Sequence, residues 1–243
     1  GQGGLLDVLV PRDFAQSREI FLSFSKPQRG GLGTAVFRAI LPEGRNRLEK
    51  GRVIFEMTPG SSGGRHFGSR IVEAPDGTLF VTIGERGDHP SAQDLTRHNG
   101  SVIRIHRDGT VPADNPFLDH PNAEPEIWSY GHRNILGMDW DAEGRLWDME
   151  HGPAGGDELN LVAAGANYGW PTRSYGNHYS GDPIEDHSAD DGFTKPAVHW
   201  TPVIAPGDMI FYSGELFTAW QGDALIASMS EPGLVRVEID GDS

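Results

Sequence analysis

Asp76-Gly77-Thr78-Leu79-Phe80-Val81-Thr82-Ile83, followed by Gly100-Ser101-Val102-Ile103-Arg104-Ile105, decides how this chain folds. A turn opens an apolar run too short for a helix, and a second run of the same kind follows a loop. Such runs read as strands. The same pair recurs in the same order at 17–23 with 33–40, at 143–147 with 157–161, and at 222–227 with 233–239. The equivalent positions Ile20, Leu79, Leu146 and Leu225 stand roughly 60 to 80 residues apart. Val235-Arg236-Val237-Glu238-Ile239 alternates with the period of a half-buried strand. Repeated four-strand sheets joined by long loops predict an all-β chain arranged as the blades of a β-propeller. The alternative is a β-sandwich whose turns are similar by chance. Four recurrences in one order favour the propeller.

Composition narrows the function classes. The 243 residues carry 20 Lys and Arg against 35 Asp and Glu, a net charge of −15. That balance argues against nucleic acid or anionic membrane as a partner and suits a protein that binds cations. No apolar run is long enough to span a membrane as a helix, and no signal-peptide pattern opens the chain. Cysteine is absent, which removes disulfides, thiolate metal sites and Cys nucleophiles. The 33 Gly and 17 Pro predict many turns and few long helices. Gly1-Gln2-Gly3-Gly4-Leu5-Leu6 is already motif-like, and the chain stops just after a strand. The expectation is a single propeller domain over 1–243, cut at both ends and covering about four to five blades.

Candidate chemistry gathers between Trp128 and Trp170. Arg133-Asn134 sets a permanent cation beside an amide, a pair able to stabilise an oxyanion; an Arg that merely bridges two blades is the competing reading. Glu150-His151-Gly152-Pro153 offers consecutive carbonyls, which hard cations such as Ca²⁺ favour. Asp157 and Glu158 are adjacent, so on a strand they point to opposite faces; an ordinary acidic loop would explain them too. Outside this stretch, His66 sits between glycines just before the strand at 78–83, where it could act as a general base or cap a carbonyl. Tyr168, Trp170, Tyr175 and Tyr179 could line a planar-cofactor or sugar site, or pack a rim. No zinc motif, P-loop or nucleophile elbow occurs.

Taken jointly, six stretches resemble the soluble aldose sugar dehydrogenases of the glucose/sorbosone dehydrogenase family, which use pyrroloquinoline quinone (PQQ). They are Gly1-Gln2-Gly3-Gly4-Leu5-Leu6-Asp7-Val8, His66-Phe67-Gly68-Ser69-Arg70, Ser129-Tyr130-Gly131-His132-Arg133-Asn134, Glu150-His151-Gly152-Pro153, Gly155-Gly156-Asp157-Glu158 and Asn167-Tyr168-Gly169-Trp170-Pro171. The resemblance runs along nearly the whole chain in order. It implies a six-bladed β-propeller that oxidises aldoses at C1 to the lactone by hydride transfer to PQQ, assisted by Ca²⁺. It further implies His66 as general base, and Arg133 with Asn134 on the quinone oxygens. Gln2 and Tyr179 would be cofactor contacts, Gly152 and Pro153 carbonyl ligands of a catalytic Ca²⁺, and Glu158 and Tyr168 a second, structural Ca²⁺ site.

In one strand the chain departs from the family pattern. Where a Lys usually pairs with the anionic cofactor, it reads Ser228-Met229-Ser230, which should weaken the hold on a tricarboxylate. The family's late cofactor-binding arginines would lie beyond Ser243. The resemblance also implies an aldose substrate, an electron acceptor, a monomer or homodimer, and a periplasmic or secreted location. The alternatives are a Ca²⁺-dependent propeller lactonase or esterase, and a non-catalytic propeller that binds a partner.

Overall fold

The structure is a computed structural model that describes residues 1–230 and 232–240. Its strands form antiparallel meanders, each sheet built from neighbours in sequence. The first sheet holds β1 (Leu5–Leu9), β2 (Glu19–Gln28), β3 (Gly31–Ile40) and β4 (Glu49–Glu56). The second holds β5 (Gly68–Glu73), β6 (Leu79–Ile83), β7 (Ser101–Ile105) and β8 (Ile127–Tyr130). The chain continues through β9 (Ile135–Trp140), β10 (Leu146–Glu150), β11 (Ala154–Gly155), β12 (Asp157–Leu161), β13 (Gly176–Asn177) and β14 (Val198–Trp200). The third sheet is ordered β9-β10-β12-β14, with β11 and β13 pairing as a separate two-stranded ribbon. Last come β15 (Pro206–Phe211), β16 (Ala224–Ser228) and β17 (Gly233–Val237), a three-stranded sheet among the described residues.

The opening strands of successive sheets abut: β1 packs on β5, β5 on β9, and β9 on β15. Sheets arranged side by side through their first strands are the blades of a propeller around a common axis. The repeated pairs seen in sequence are the second and third strands of each blade. The first strands escaped that reading because they are less apolar. They carry Asp7, Arg70 and Asp208, which form ion pairs with one another. Arg70 Nη1 meets Asp7 Oδ1 at 3.0 Å, its Nη2 meets Asp208 Oδ2 at 2.7 Å, and its Nε donates to the Leu136 carbonyl at 3.3 Å. One guanidinium thus ties β5 to β1, β9 and β15.

Strand alternation distributes the core between blades. Leu79, Val81 and Ile83 of β6 face the first sheet and pack with Phe21, Val36 and Met57. Phe80 faces the other way, with Ile135, Met138 and Leu146 of the third sheet. In β10 and β12, Trp147, Met149 and Leu159 pack on Met209 and Ile226 of the fourth sheet. Large apolar side chains buried this fully each contribute on the order of 1.5–3 kcal/mol. The opposite face of β10 starts apolar at Leu146 and then turns acidic with Asp148 and Glu150. The register places Asn160 beside Asp148 and Glu158 beside Glu150. A buried acidic row therefore lies between the second and third sheets, toward the end where the loops carry the candidate residues.

Candidate active site

His66 lies in the loop immediately before β5, which corrects the expectation that it directly precedes the strand at 78–83. It is buried and holds a left-handed backbone, φ 54°. Its N–H donates to Gln2 Oε1 at 2.7 Å, while the Gln2 N–H donates to the Gly64 carbonyl at 2.6 Å. Its Nδ1 bonds the carboxylate of Glu85, a fully buried residue in the loop after β6. A carboxylate only accepts, so Nδ1 carries the hydrogen and Nε2 keeps its lone pair. Gly84 is required here, because a Cβ on it would overlap the His66 carbonyl. Arg86 braces the loop from beneath: its guanidinium donates to the carbonyls of Arg65 and Gly63 and lies 3.3 Å from the Phe67 ring centre. Burial draws the Arg86 pKa down to about 10.

Arg133 and Asn134 join this loop from the turn between β8 and β9. Asn134 Oδ1 accepts the Gly68 N–H at 3.2 Å. Gln2 and Asn134 thus both turn their carbonyl oxygens onto backbone amides, and among the described residues neither NH₂ group has a hydrogen-bond partner. Arg133 Nη1 donates to the His151 carbonyl at 3.1 Å, and Nη2 to the Tyr179 hydroxyl at 3.3 Å. A cleft of about 370 Å³ is lined by Gln2, His66, Arg133, Asn134, His151, Tyr179 and Met229, among others. Eight sequence candidates, Gln2, His66, Arg133, Asn134, Gly152, Pro153, Tyr179 and Met229, therefore line two adjoining clefts. Gly152 and Pro153 line a second one of about 630 Å³, which shares His151 and Tyr179 with the first.

Behind Gly152 is a small cavity of about 10 Å³ lined by Glu150, Gly152, Glu158, Tyr168 and Ser174, among others. It has room for one water-sized or ion-sized occupant. Burial, with Glu150, Asp148 and Asp157 nearby, pushes the Glu158 carboxyl well above the carboxylate range. Burial likewise raises the Asp148 carboxyl. Burial opposes charge on His132, but Asp148 and Glu150 outweigh it and raise its pKa. The Tyr168 hydroxyl donates to the Leu161 carbonyl at 2.6 Å and accepts the Ala163 N–H at 3.0 Å, so only its backbone is free to face an ion. The ring stacks on His132 with centroids 4.4 Å apart.

The remaining candidates have other duties. Ser228 Oγ donates to the Ile204 carbonyl at 2.8 Å and Ser230 Oγ to the Val203 carbonyl at 3.1 Å; only Met229 of the three lines the first cleft. Trp170 is buried, and Tyr175 stacks on His199. Of the aromatics at 168–179, Tyr179 alone lines the two open clefts. His98, Glu124 and Glu126 also bring metal-type ligands together. His98 Nδ1, however, accepts the Thr58 N–H at 2.9 Å, so the ring hydrogen is on Nε2, facing Glu126 at 3.3 Å. A metal on Nε2 would demand an imidazolate, and this trio reads as a structural clamp.

Glu85 and Arg86 went unread in the sequence. The signal was present: a charged pair between glycines, Gly84-Glu85-Arg86-Gly87, closes a fully buried strand.

Fold and site define an all-β propeller whose inner-strand loops carry a His–carboxylate pair facing an Arg–Asn pair. The profile of the family "Glucose / Sorbosone dehydrogenase" matches residues 1–243, and the chain belongs to that family. It is 40% identical over 246 residues to the "Aldose sugar dehydrogenase YliI" of Escherichia coli (strain K12), covering 100% of this chain and 66% of that protein. An uncharacterized Synechocystis protein is 41% identical over 251 residues, 98% of this chain and 60% of its own length. The chain therefore spans no more than about two thirds of these relatives. Among solved structures, the PQQ-bound aldose sugar dehydrogenase from Streptomyces coelicolor superposes with a TM-score of 0.81 at 28% identity, covering 99% of this chain and 64% of that one. Among the described residues no helix is long and apolar enough to cross a membrane.

Proposed function

We propose that the protein oxidises aldose sugars at C1 to the lactone, with PQQ and Ca²⁺ as its cofactors. The observation that carries this reading is the His66–Glu85 pair facing Arg133 and Asn134 across one cleft. The residues fit a planar, anionic quinone: the cleft offers a guanidinium and two amide NH₂ groups without partners. They also fit a hard cation, since the carbonyls of Gly155 and Gly156 crowd Gly152 so closely that no Cβ is tolerated there. Support comes from the quinone bound to the Streptomyces relative and from the sugar substrate in the names of the similar proteins.

PQQ, when bound, supplies the hydride acceptor, and Ca²⁺ beside it supplies Lewis acidity. This chain's residues do the rest. Glu85 holds the Nδ1–H of His66, so Nε2 takes the proton of the C1 hydroxyl as the hydride leaves C1. The cyclic sugar thus gives up a hydride from C1 and a proton from its C1 hydroxyl, which leaves C1 as the lactone carbonyl with the ring intact. Arg133, aimed by the His151 carbonyl and the Tyr179 hydroxyl, and the Asn134 NH₂ meet the negative charge that arrives. Gln2 keeps the base in place through the His66 N–H. The carbonyls of Gly152 and Pro153 would hold the catalytic Ca²⁺; Glu158 and the Tyr168 carbonyl would hold the second ion in the small cavity. With Ser228 and Ser230 committed to backbone carbonyls, the stretch 228–230 offers the cofactor carboxylates no cation. A propeller of six blades, a broad aldose range, a periplasmic or secreted location and a separate electron acceptor complete the reading.

The test is reconstitution of the full-length protein with PQQ and Ca²⁺, followed by glucose-dependent reduction of an artificial dye. Replacing His66 with Gln should abolish turnover and leave PQQ binding in place. Dye reduction that survives H66Q overturns the base assignment. Ester hydrolysis without dye reduction would assign the cleft to a lactonase, and neither activity to a binding module.

A further inference from the structure

The peptide joining His151 to Gly152 is held on both edges. Its N–H donates to Asp157 Oδ1 at 2.9 Å, and its C=O accepts Arg133 Nη1 at 3.1 Å. In a trans peptide these two groups point in opposite directions, so a bond that fixes one aims the other. Asp157 is fully buried, and its second oxygen accepts the N–H groups of Ile204 at 2.8 Å and Ala205 at 2.7 Å. Ala205 has φ 49°, a left-handed conformation that is strained for a residue with a Cβ and needs such an anchor.

One carboxylate therefore binds two loops, 151–156 and 201–205, both of which line the larger cleft. His151 adds a parallel tie through its Nε2, which donates to the Pro206 carbonyl at 2.7 Å. Asp157 faces this junction because it begins β12 on the side opposite Glu158. The adjacent acids thus serve different purposes: Glu158 borders the small cavity, and Asp157 grips backbone.

We propose that Asp157 is a positioning residue that aims Arg133 and sets the carbonyls of Gly152 and Pro153, acting through the peptide it shares with Arg133. The proposal rests on the reading above, in which Arg133 stabilises charge and those carbonyls ligate the cation. Asp157 itself lines neither of the two clefts. Outer contacts of this kind typically alter ion affinity or activity tenfold to a hundredfold.

The experiment uses full-length D157N, an amide of the same shape whose NH₂ must face one of the three N–H donors. The expected result is a kcat lower by about tenfold to a hundredfold, with the sugar KM within about twofold. The Ca²⁺ concentration for half-reconstitution should rise by a similar factor. A double-mutant cycle with R133K should be non-additive, the pair losing less than the product of the single losses, because both act on one peptide. Additive losses that track a lowered Tm, with the Ca²⁺ midpoint unchanged, would overturn the proposal. The Gly152 amide, followed in ¹⁵N-glycine-labelled protein without cofactors, separates the two readings. Protection from exchange lost in D157N supports the grip even if the wild type takes up no PQQ. Protection unchanged in D157N overturns it.

Discussion

Glu158→Gln, measured with and without Ca²⁺ across pH, tests the buried acidic row most directly. In the ion-free protein, burial pushes the Asp148 carboxyl up to about 7 from 3.8, and Glu158 is also raised. Between those pH values the folded state holds protons that the unfolded state has released. Stability must therefore fall as pH rises through that window. His132 acts in the same direction, since its raised pKa contributes stability at low pH that is lost as pH climbs past the folded value. Asp148 alone withdraws on the order of 4 kcal/mol once both states have ionised. A divalent cation in the adjoining cavity reverses this by favouring the carboxylates. At about 100 times its Kd it adds about 2.7 kcal/mol. For a chain of this size that corresponds to a Tm increase of roughly 5–10 °C. Thermal unfolding by circular dichroism, from pH 5 to 8, reads both effects. Wild type should lose Tm with rising pH in chelator and regain it in Ca²⁺. Glu158→Gln should show a shallower pH slope in chelator and no Ca²⁺-dependent gain. A full Ca²⁺ shift in that variant would remove Glu158 from the ion site. Ion-free stability that climbs from pH 5 to 8 would refute the protonated buried row.

Two further perturbations probe the frame around the site. Glu85→Gln keeps the side chain's shape but lets an NH₂ face His66 Nδ1, favouring the wrong tautomer; dye-reduction kinetics should show kcat down by about 10²–10⁴, with PQQ titration near wild type. Arg70→Met leaves Asp7 and Asp208 without their shared cation and unties the inner strands; urea unfolding should register a loss of about 2 kcal/mol, and an unchanged midpoint would show the channel pairs to be worth little.

The propeller was legible because its second and third strands repeat a local signal. Leu79-Phe80-Val81-Thr82-Ile83 and Ala224-Leu225-Ile226-Ala227 are apolar runs between turns, and period-2 alternation needs only neighbouring residues to be read. The inner strands were not legible. Asp7, Arg70 and Asp208 look like surface charges until the sheets stand side by side and bring them together. The adjacent acids Asp157 and Glu158 could be assigned to opposite faces from strand geometry alone, but not to their partners.

The chain by itself determined the repeated strand pairs and the acidic balance, and it marked His66, Arg133-Asn134 and Gly152-Pro153 as candidates, since these depend on composition and on local spacing. Only the tertiary structure decided that Glu85 orients His66, that Gln2 and Asn134 turn their NH₂ groups free, and that Asp157 grips the peptide Arg133 leans on. Those relations join residues tens of positions apart. Their geometry comes from contacts between loops within a blade and from one blade to the next, which no local pattern encodes.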